Sequence, residues 1–296
     1  MFNNIWLPNK KSIIFIMKLY FSYDIMLGMK YKILFVDYDY TITNSKDKVT
    51  KRTRKAIEDY VAAGGHFVIT TSRPFWMIED HAKSLGLMGD LICSQGASII
   101  NVQTGKYLYK SVINSDDLDE IVDYTMKKAY YSIVASNEEL VTDRTTPIFL
   151  HIAKKVGFVF KNKNKATYRE EIHSIEPFQV LCRTNSHIGN LMFANKIKSH
   201  FNDKYGVHIC SNHLTAITNK DASKGKALKT YSKMLGVPLS QTAAFGDSIG
   251  DVSMYEYAGL SVAMGNAHKK LKEKADLVIG HTDDEGLAKF IESLIK

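Results

Sequence analysis

Two carboxylates stand one residue apart where an apolar run ends. The stretch ILFVDYDYTIT, residues 33–43, carries Asp37 and Asp39 directly after Ile33, Leu34, Phe35 and Val36. Side chains two apart on an extended segment share a face, so both acids can address one reacting centre. A carboxylate is a weak nucleophile, but phosphoryl transfer has a loose transition state that asks for little covalent push and much charge stabilisation. One aspartate can therefore take a phosphoryl group as an acyl phosphate. The other would protonate the departing alkoxide and later deprotonate the attacking water. An aspartic acid ordinarily titrates near pH ~4, so such a proton carrier needs a raised pKa, which neighbouring carboxylates or a phosphate dianion supply by repulsion. Alone, the pair is weak evidence, since acids after strands more often just cap a following helix.

Three more polar signals accompany it. GDSIGD, residues 246–251, contributes a second acidic pair, Asp247 and Asp251. Three or four carboxylates around one point repel strongly unless a cation lies among them, and Mg2+ prefers such hard oxygen ligands. TTSR, residues 70–73, offers the hydroxyls and backbone N–H groups of Thr71 and Ser72 to phosphoryl oxygens. Ser72 is also a candidate cap for a helix begun by Pro74. SKGK, residues 223–226, puts Lys224 at a helix N-terminus, where a cation opposes the macrodipole unless an anion is near. A phosphate and an aspartate would justify it; a solvated lysine is the plainer alternative.

The elements around these signals explain how they could meet. From 32 to 105 apolar runs alternate with amphipathic ones: KILFVDY, then VTKRTRKAIEDYVAAGG with Thr50 or Thr53 as cap, HFVITTS, PFWMIEDHAKSLG and DLICSQG. The same grammar returns from 223 to 296. Strands separated by helices of this length imply right-handed crossovers and a parallel sheet covered on both faces. Ligands of such α/β sheets bind at the carboxyl ends of the strands, where all four signals fall. Between the halves, runs such as YYSIVAS, FQVLCRT and YGVHICS with helices near 116–129 and 187–202 read as a separate α+β unit. The expected organisation is a core at 30–112 and 214–296, an insert at 113–213, and an extension at 1–29 that is disordered or not native, with Met29 the natural start.

Composition sets the outer bounds. With 296 residues, 45% hydrophobic and 24% charged, the chain has enough apolar material for a sizeable core. Its net charge of +8 is spread along the sequence, and the densest basic run, KNKNK at 161–165, lacks interleaved aromatics, which argues against nucleic acid. Cys93, Cys182 and Cys210 show no C-x-x-C spacing and fit a reducing, cytoplasmic setting. The apolar stretch at 12–28 is interrupted by Lys18 and Asp24, so neither a membrane span nor a signal peptide is expected.

The order D-x-D-x-T, T/S-x-R, lysine at a helix start, G-D-x-x-x-D resembles the haloacid dehalogenase (HAD) superfamily. With SQGASI before the insert and SVAMGNA after the last acids, the chain is similar to the Cof-type branch of small-molecule phosphatases over roughly residues 30–296. The resemblance implies a Rossmann-like parallel sheet core with an inserted C2-type α+β cap. It implies Asp37 as nucleophile and magnesium ligand, and Asp39 as general acid and base whose backbone carbonyl also binds the metal. Thr71 and Ser72 would hold phosphate, Lys224 would neutralise nucleophile and phosphate, and Asp247 would bind Mg2+ with Asp251 as ligand or supporting acid. The chain departs from the commonest pattern at Tyr40, Ser72 and Gly250, and at Gln95 in place of an asparagine. The expected activity is Mg2+-dependent hydrolysis of a small phosphorylated metabolite through phospho-Asp37, under a cap that opens and closes. Arg144 in TDRTTP is a candidate grip for a carboxylate or second phosphate, a surface turn being the alternative. A phosphomutase and a non-catalytic phospho-ligand regulator are the rival readings. Substrate identity and oligomeric state are not legible.

Overall fold

The computed structural model describes residues 29–129, 131–142, 160–162 and 167–295. Residues 1–28 of the expected extension, Arg144 and most of the basic run at 161–165 lie outside the described residues. Ile33, Leu34, Phe35 and Val36 are all fully buried, the composition of a strand covered on both faces, and they form β1 (Ile33–Val36). It pairs in parallel with β2 (His66–Ile69) and, on its other side, with β12 (Thr242–Gly246), which is followed outward by β13 (Leu260–Ala263) and β14 (Leu277–Val278). The register sets Val36 opposite both Ile69 and Phe245, so Asp37, Thr70 and Gly246 emerge at one level of the sheet.

Alternate residues of β1 feed two cores, as a period of two requires. Leu34 and Val36 face Ile57, Leu85 and Ile291, from α1 (Lys51–Ala62), the end of α2 (Glu79–Ser84) and α9 (Gly286–Leu294). Ile33 and Phe35 face Leu228, Tyr231 and Met254 of the helices following the third and fourth motifs. Thr50 caps α1, its hydroxyl accepting from the Thr53 amide at 3.1 Å. The helix expected from Pro74 differs. Pro74 is extended and is followed by a single 3-10 turn, Phe75–Met77, with no side-chain cap, so Ser72 does not cap a helix there. The expected third parallel strand also differs: β3 (Asp90–Cys93) touches β2's end through one bridge, Thr70 to Ile92, and then opens an antiparallel meander with β4 (Ser98–Asn101) and β5 (Tyr107–Lys110).

The inserted unit is a six-stranded sheet of order β10-β11-β9-β6-β7-β8. Its strands are β6 (Tyr131–Ala135), β7 (Leu140–Thr142), β8 (Phe160–Asn162), β9 (Gln179–Arg183), β10 (Tyr205–Ser211) and β11 (Leu214–Asn219). One face is packed by α3 (Ser115–Lys128), α5 (His187–His200) and a short α4 (Tyr168–His173) that the sequence reading did not anticipate. Because β11 pairs with β9 and β10, a boundary between 213 and 214 falls inside a hairpin. The core resumes with α6 (Lys224–Met234), α7 (Val252–Tyr255) and α8 (Lys269–Lys272). Asn137, in the β6–β7 turn, ties the two units: its Oδ1 accepts from the Phe75 amide and the Ser94 hydroxyl at 3.0 and 3.2 Å, and its Nδ2 donates to Ser98 Oγ at 3.0 Å. Among the described residues no helix is long and apolar enough to cross a membrane.

Candidate active site

Where β1 ends, the chain turns tightly through Tyr38–Ile42, and Tyr40 adopts a left-handed φ of 57°. That conformation costs a residue with a Cβ about 1 kcal/mol. The turn is secured by the Tyr40 amide donating to Thr43 Oγ1 at 3.0 Å and by Asn266, of SVAMGNA, donating to the Tyr40 carbonyl at 2.8 Å. Asp37 projects toward Lys224, whose Nζ donates to Asp37 Oδ1 at 2.5 Å and to Asp251 Oδ1 at 2.6 Å. Lys224 is the first residue of α6, whose cap is Ser223. Its placement against the helix dipole is thus matched by two carboxylates.

Two glycines make this convergence possible. A Cβ on Gly225 would lie 1.8 Å from the Ser253 carbonyl oxygen, so only glycine lets α6 approach α7 this closely. A Cβ on Gly246 would lie 2.5 Å from the Asp251 carboxyl carbon, so the glycine ending β12 clears the space that Asp251 fills. Asp251 Oδ2 in turn accepts from the Asp247 amide, the Ser248 amide and the Ser248 hydroxyl at 3.2, 3.0 and 3.0 Å. With both oxygens engaged, Asp251 fixes Lys224 and the loop, and Asp37 and Asp247 carry the more open lone pairs.

The charge balance is lopsided. Asp37, Asp247 and Asp251 bring carboxylate oxygens within 4.8 Å of one another around a single lysine. Burial pushes the Asp37 carboxyl well above its ordinary range; Lys224 opposes the shift, while Asp251, Asp247 and Asp39 reinforce it. Asp247 is pushed up to about 7, by burial first and then by Asp251. Burial alone would favour loss of the Lys224 proton, yet the attraction of Asp251 and Asp37 outweighs it and raises the pKa. An all-oxygen donor set with surplus negative charge fits a small hard divalent cation.

Asp39 is held differently. Arg73 grips it in a fork, Nε to Oδ2 at 3.0 Å and Nη2 to Oδ1 at 2.5 Å, while its guanidinium lies over the Tyr38 ring at 5.3 Å. The sequence reading assigned Arg73 no role, although the T/S-x-R spacing was its signal. Thr71 is fully buried, its amide donates to the Ile92 carbonyl at 2.8 Å, and its Oγ1 accepts from the Arg73 amide at 3.1 Å. The expectation that the Thr71 amide faces phosphate is therefore corrected, because Ile92 already occupies it. Ser72 does line the cavity.

That cavity, of about 510 Å³, is floored by Asp37, Asp39, Lys224 and Asp247 and roofed by Ile209, Cys210, Ser211 and Asn212 of the β10–β11 hairpin. Gln95 forms part of the wall; its φ is 61°, its Nε2 donates to Cys210 Sγ at 3.1 Å, and its buried Oε1 has no hydrogen-bond partner among the described residues. These roof and wall residues went unassigned in the sequence, since neutral side chains carry no spacing signal. A larger cavity, about 730 Å³, lies between α3 and α5. It has no carboxylate lining it, so the smaller one is the chemical candidate.

Comparisons with known proteins agree with this geometry. The sequence profile described as haloacid dehalogenase-like hydrolase matches residues 34–291. The chain is 28% identical over 286 residues to Phosphatase YwpJ of Bacillus subtilis, covering 89% of this chain and 100% of that one. It is 24% identical over 289 residues to the same organism's 5-amino-6-(5-phospho-D-ribitylamino)uracil phosphatase YwtE, covering 89% and 98%. Its fold is similar to that of a haloacid dehalogenase-like hydrolase from Bacteroides thetaiotaomicron, with a TM-score of 0.78, 22% identity, and 90% and 100% of the two chains covered.

Proposed function

Because the chain belongs to the haloacid dehalogenase-like hydrolases, we propose that it is a Mg2+-dependent phosphatase of small phosphomonoesters acting through phospho-Asp37. The observation that carries this reading is the buried triad in which Lys224 bridges Asp37 and Asp251. Asp37 and Asp247, with the Asp39 carbonyl, would hold the magnesium ion, Asp251 supporting them through Lys224 and the loop; the ion when bound supplies charge neutralisation and orients the phosphoryl oxygens.

In the first step an Asp37 oxygen bonds to phosphorus as the ester P–O bond breaks, and Asp39 gives its proton to the departing alkoxide. Lys224 aims Asp37 and offsets charge gathering on the phosphoryl oxygens, while Asp251 keeps Lys224 in place. The Ser72 hydroxyl and the Thr71 hydroxyl proton are the neutral donors proposed for those oxygens. In the second step water attacks phosphorus, Asp39 takes its proton, and the bond to Asp37 breaks. Because Arg73 holds both Asp39 oxygens in the described state, the fork must open to a single hydrogen bond for Asp39 to carry the proton, and Arg73 then keeps the remaining oxygen in register. The residues 113–219 act as a cap, and the hairpin roof excludes bulk water when closed.

Turnover of p-nitrophenyl phosphate and of a panel of phosphorylated metabolites, with Mg2+ and with EDTA, tests the reading. The panel includes a phosphoribitylamino-uracil, the substrate class in the name of the relative YwtE. Hydrolysis is expected only with the metal, and Asp37→Asn should lower kcat at least ~10³-fold. Undiminished turnover in that variant would remove the proposal, and ligand binding without turnover would favour a non-catalytic regulator.

A further inference from the structure

A second cavity, of about 360 Å³, adjoins the first: Ile209 and Gly250 line both. Its walls come from both units, with Lys198 on α5, and Lys270 and Lys274 on and just after α8. Glu256 is the one acid among its lining residues. Among the described residues none of the three lysines makes an ion pair with a carboxylate, whereas Lys204 and Lys269 nearby in sequence each do. All three are exposed at the rim of this space, where like charges from cap and core repel one another modestly and would attract an anion placed between them. His208 is also on this wall; burial first lowers its pKa to about 4, a backbone hydrogen bond at Ala222 opposing the shift and Lys198 and Lys224 adding to it.

Gly250 keeps the passage between the two cavities open. A Cβ there would sit 3.4 Å from Ser248 Oγ and 3.8 Å from the Ile209 carbonyl oxygen, both ordinary contacts. A side chain would therefore fit, directed at the other residue the cavities share. The acid-floored chamber, where the phosphoryl group would react, thus adjoins the lysine-lined one at a position that carries no side chain.

We infer that the lysine-lined chamber is a subsite for a second anionic group, phosphate or carboxylate, on the leaving group, so that the preferred substrates are phosphomonoesters with two anionic ends. The inference rests on the phosphatase reading and narrows its substrate class. Cap closure brings Lys198 against Lys270 and Lys274 across that second anion, which makes the fit of the leaving group part of closure itself.

Matched pairs of probes test it. Glycerol 3-phosphate is compared with 3-phosphoglycerate, which adds a carboxylate, and a hexose 6-phosphate with the hexose 1,6-bisphosphate, which adds a phosphate. The wild-type kcat/KM should favour the doubly anionic member of at least one pair about tenfold, the worth of a charge-assisted hydrogen-bonded anion in a partly enclosed site. The combined Lys198→Gln, Lys270→Gln and Lys274→Gln variant should reduce the preference to about twofold, and added salt should erode it in the wild type. Gly250→Asn, by filling the passage, should reduce it independently. Equal kcat/KM within both pairs, or lysine substitutions that lower both members of a pair alike, would overturn the subsite. If p-nitrophenyl phosphate is hydrolysed and no preference exists, the subsite alone fails; if nothing is hydrolysed, the phosphatase reading fails first.

Discussion

The carboxyl edge of the parallel sheet and the hairpin that roofs it enclose one cavity but are built on opposite rules. At the edge, Asp37, Lys224 and Asp251 are charged groups with side-chain exposures of 9%, 4% and 0%. Burying them is unfavourable, and each is tolerable only because the others are there. At the roof, Ile209, Cys210, Ser211 and Asn212 are neutral, and none pairs with an acid of the floor. The edge is clamped between two apolar cores that use alternate residues of β1. The described contacts from roof unit to core include single polar links such as Gln179 Nε2 to the Ser72 carbonyl at 3.1 Å and Asn219 Nδ2 to the Val112 carbonyl at 3.2 Å. The cavity thus has buried charge below and neutral side chains above. On the proposed function, the core would supply the reaction and the roof would select who undergoes it.

The sharpest way to break that comparison is Lys224→Met. It leaves Asp37 and Asp251 buried without their counter-ion, which should cost about 3–5 kcal/mol of stability by urea denaturation and lower kcat ~10²–10³-fold. Wild-type kcat with normal stability would mean the floor does not depend on its charges. A smaller effect concerns His208 of the hairpin, whose Nε2 pairs with Thr218 Oγ1 at 3.0 Å. Its pKa is lowered from 6.5 to about 4, so the unfolded chain binds the extra proton first. The contribution is whole above pH ~6.5 and is lost as pH falls through 4, by roughly 3 kcal/mol. Between pH 7 and 4 the wild type should lose that much more stability than His208→Gln. Parallel pH profiles would show that the hairpin carries no buried charge penalty. The smallest effect is expected at the roof: Asn212→Ala should raise KM about three- to tenfold with kcat within about threefold. A large fall in kcat instead would move the chemistry partly into the roof.

Legibility in the sequence followed the same line. Asp37, Asp247, Asp251 and Lys224 were readable because charge at a strand or helix end is unusual and its spacing constrains what it can reach. The fork between Arg73 and Asp39 spans 34 positions and depends on how a turn orients both side chains, so spacing alone could not announce it. Thr71 was misjudged in one respect because an amide's partner, here the Ile92 carbonyl, is settled by the neighbouring strand. Pro74 looked like a helix start, since proline suits first turns, but the backbone there remains extended before a brief 3-10 turn. Strand pairing carried Leu214–Asn219 across the drawn boundary, a long-range fact that apolar periodicity does not encode. The lysine-lined chamber was invisible for a related reason: Lys198 and Lys270 come from separate units and read as ordinary solvated residues until the units are brought together.

The central claim is that Asp37 bonds to phosphorus. Rapid acid quenching of the enzyme during turnover, followed by borotritide reduction of any acyl phosphate to labelled homoserine and peptide mapping, tests it directly. Label at position 37, absent from Asp37→Asn, is the predicted result. Label at another residue, or label that survives the substitution, would contradict it.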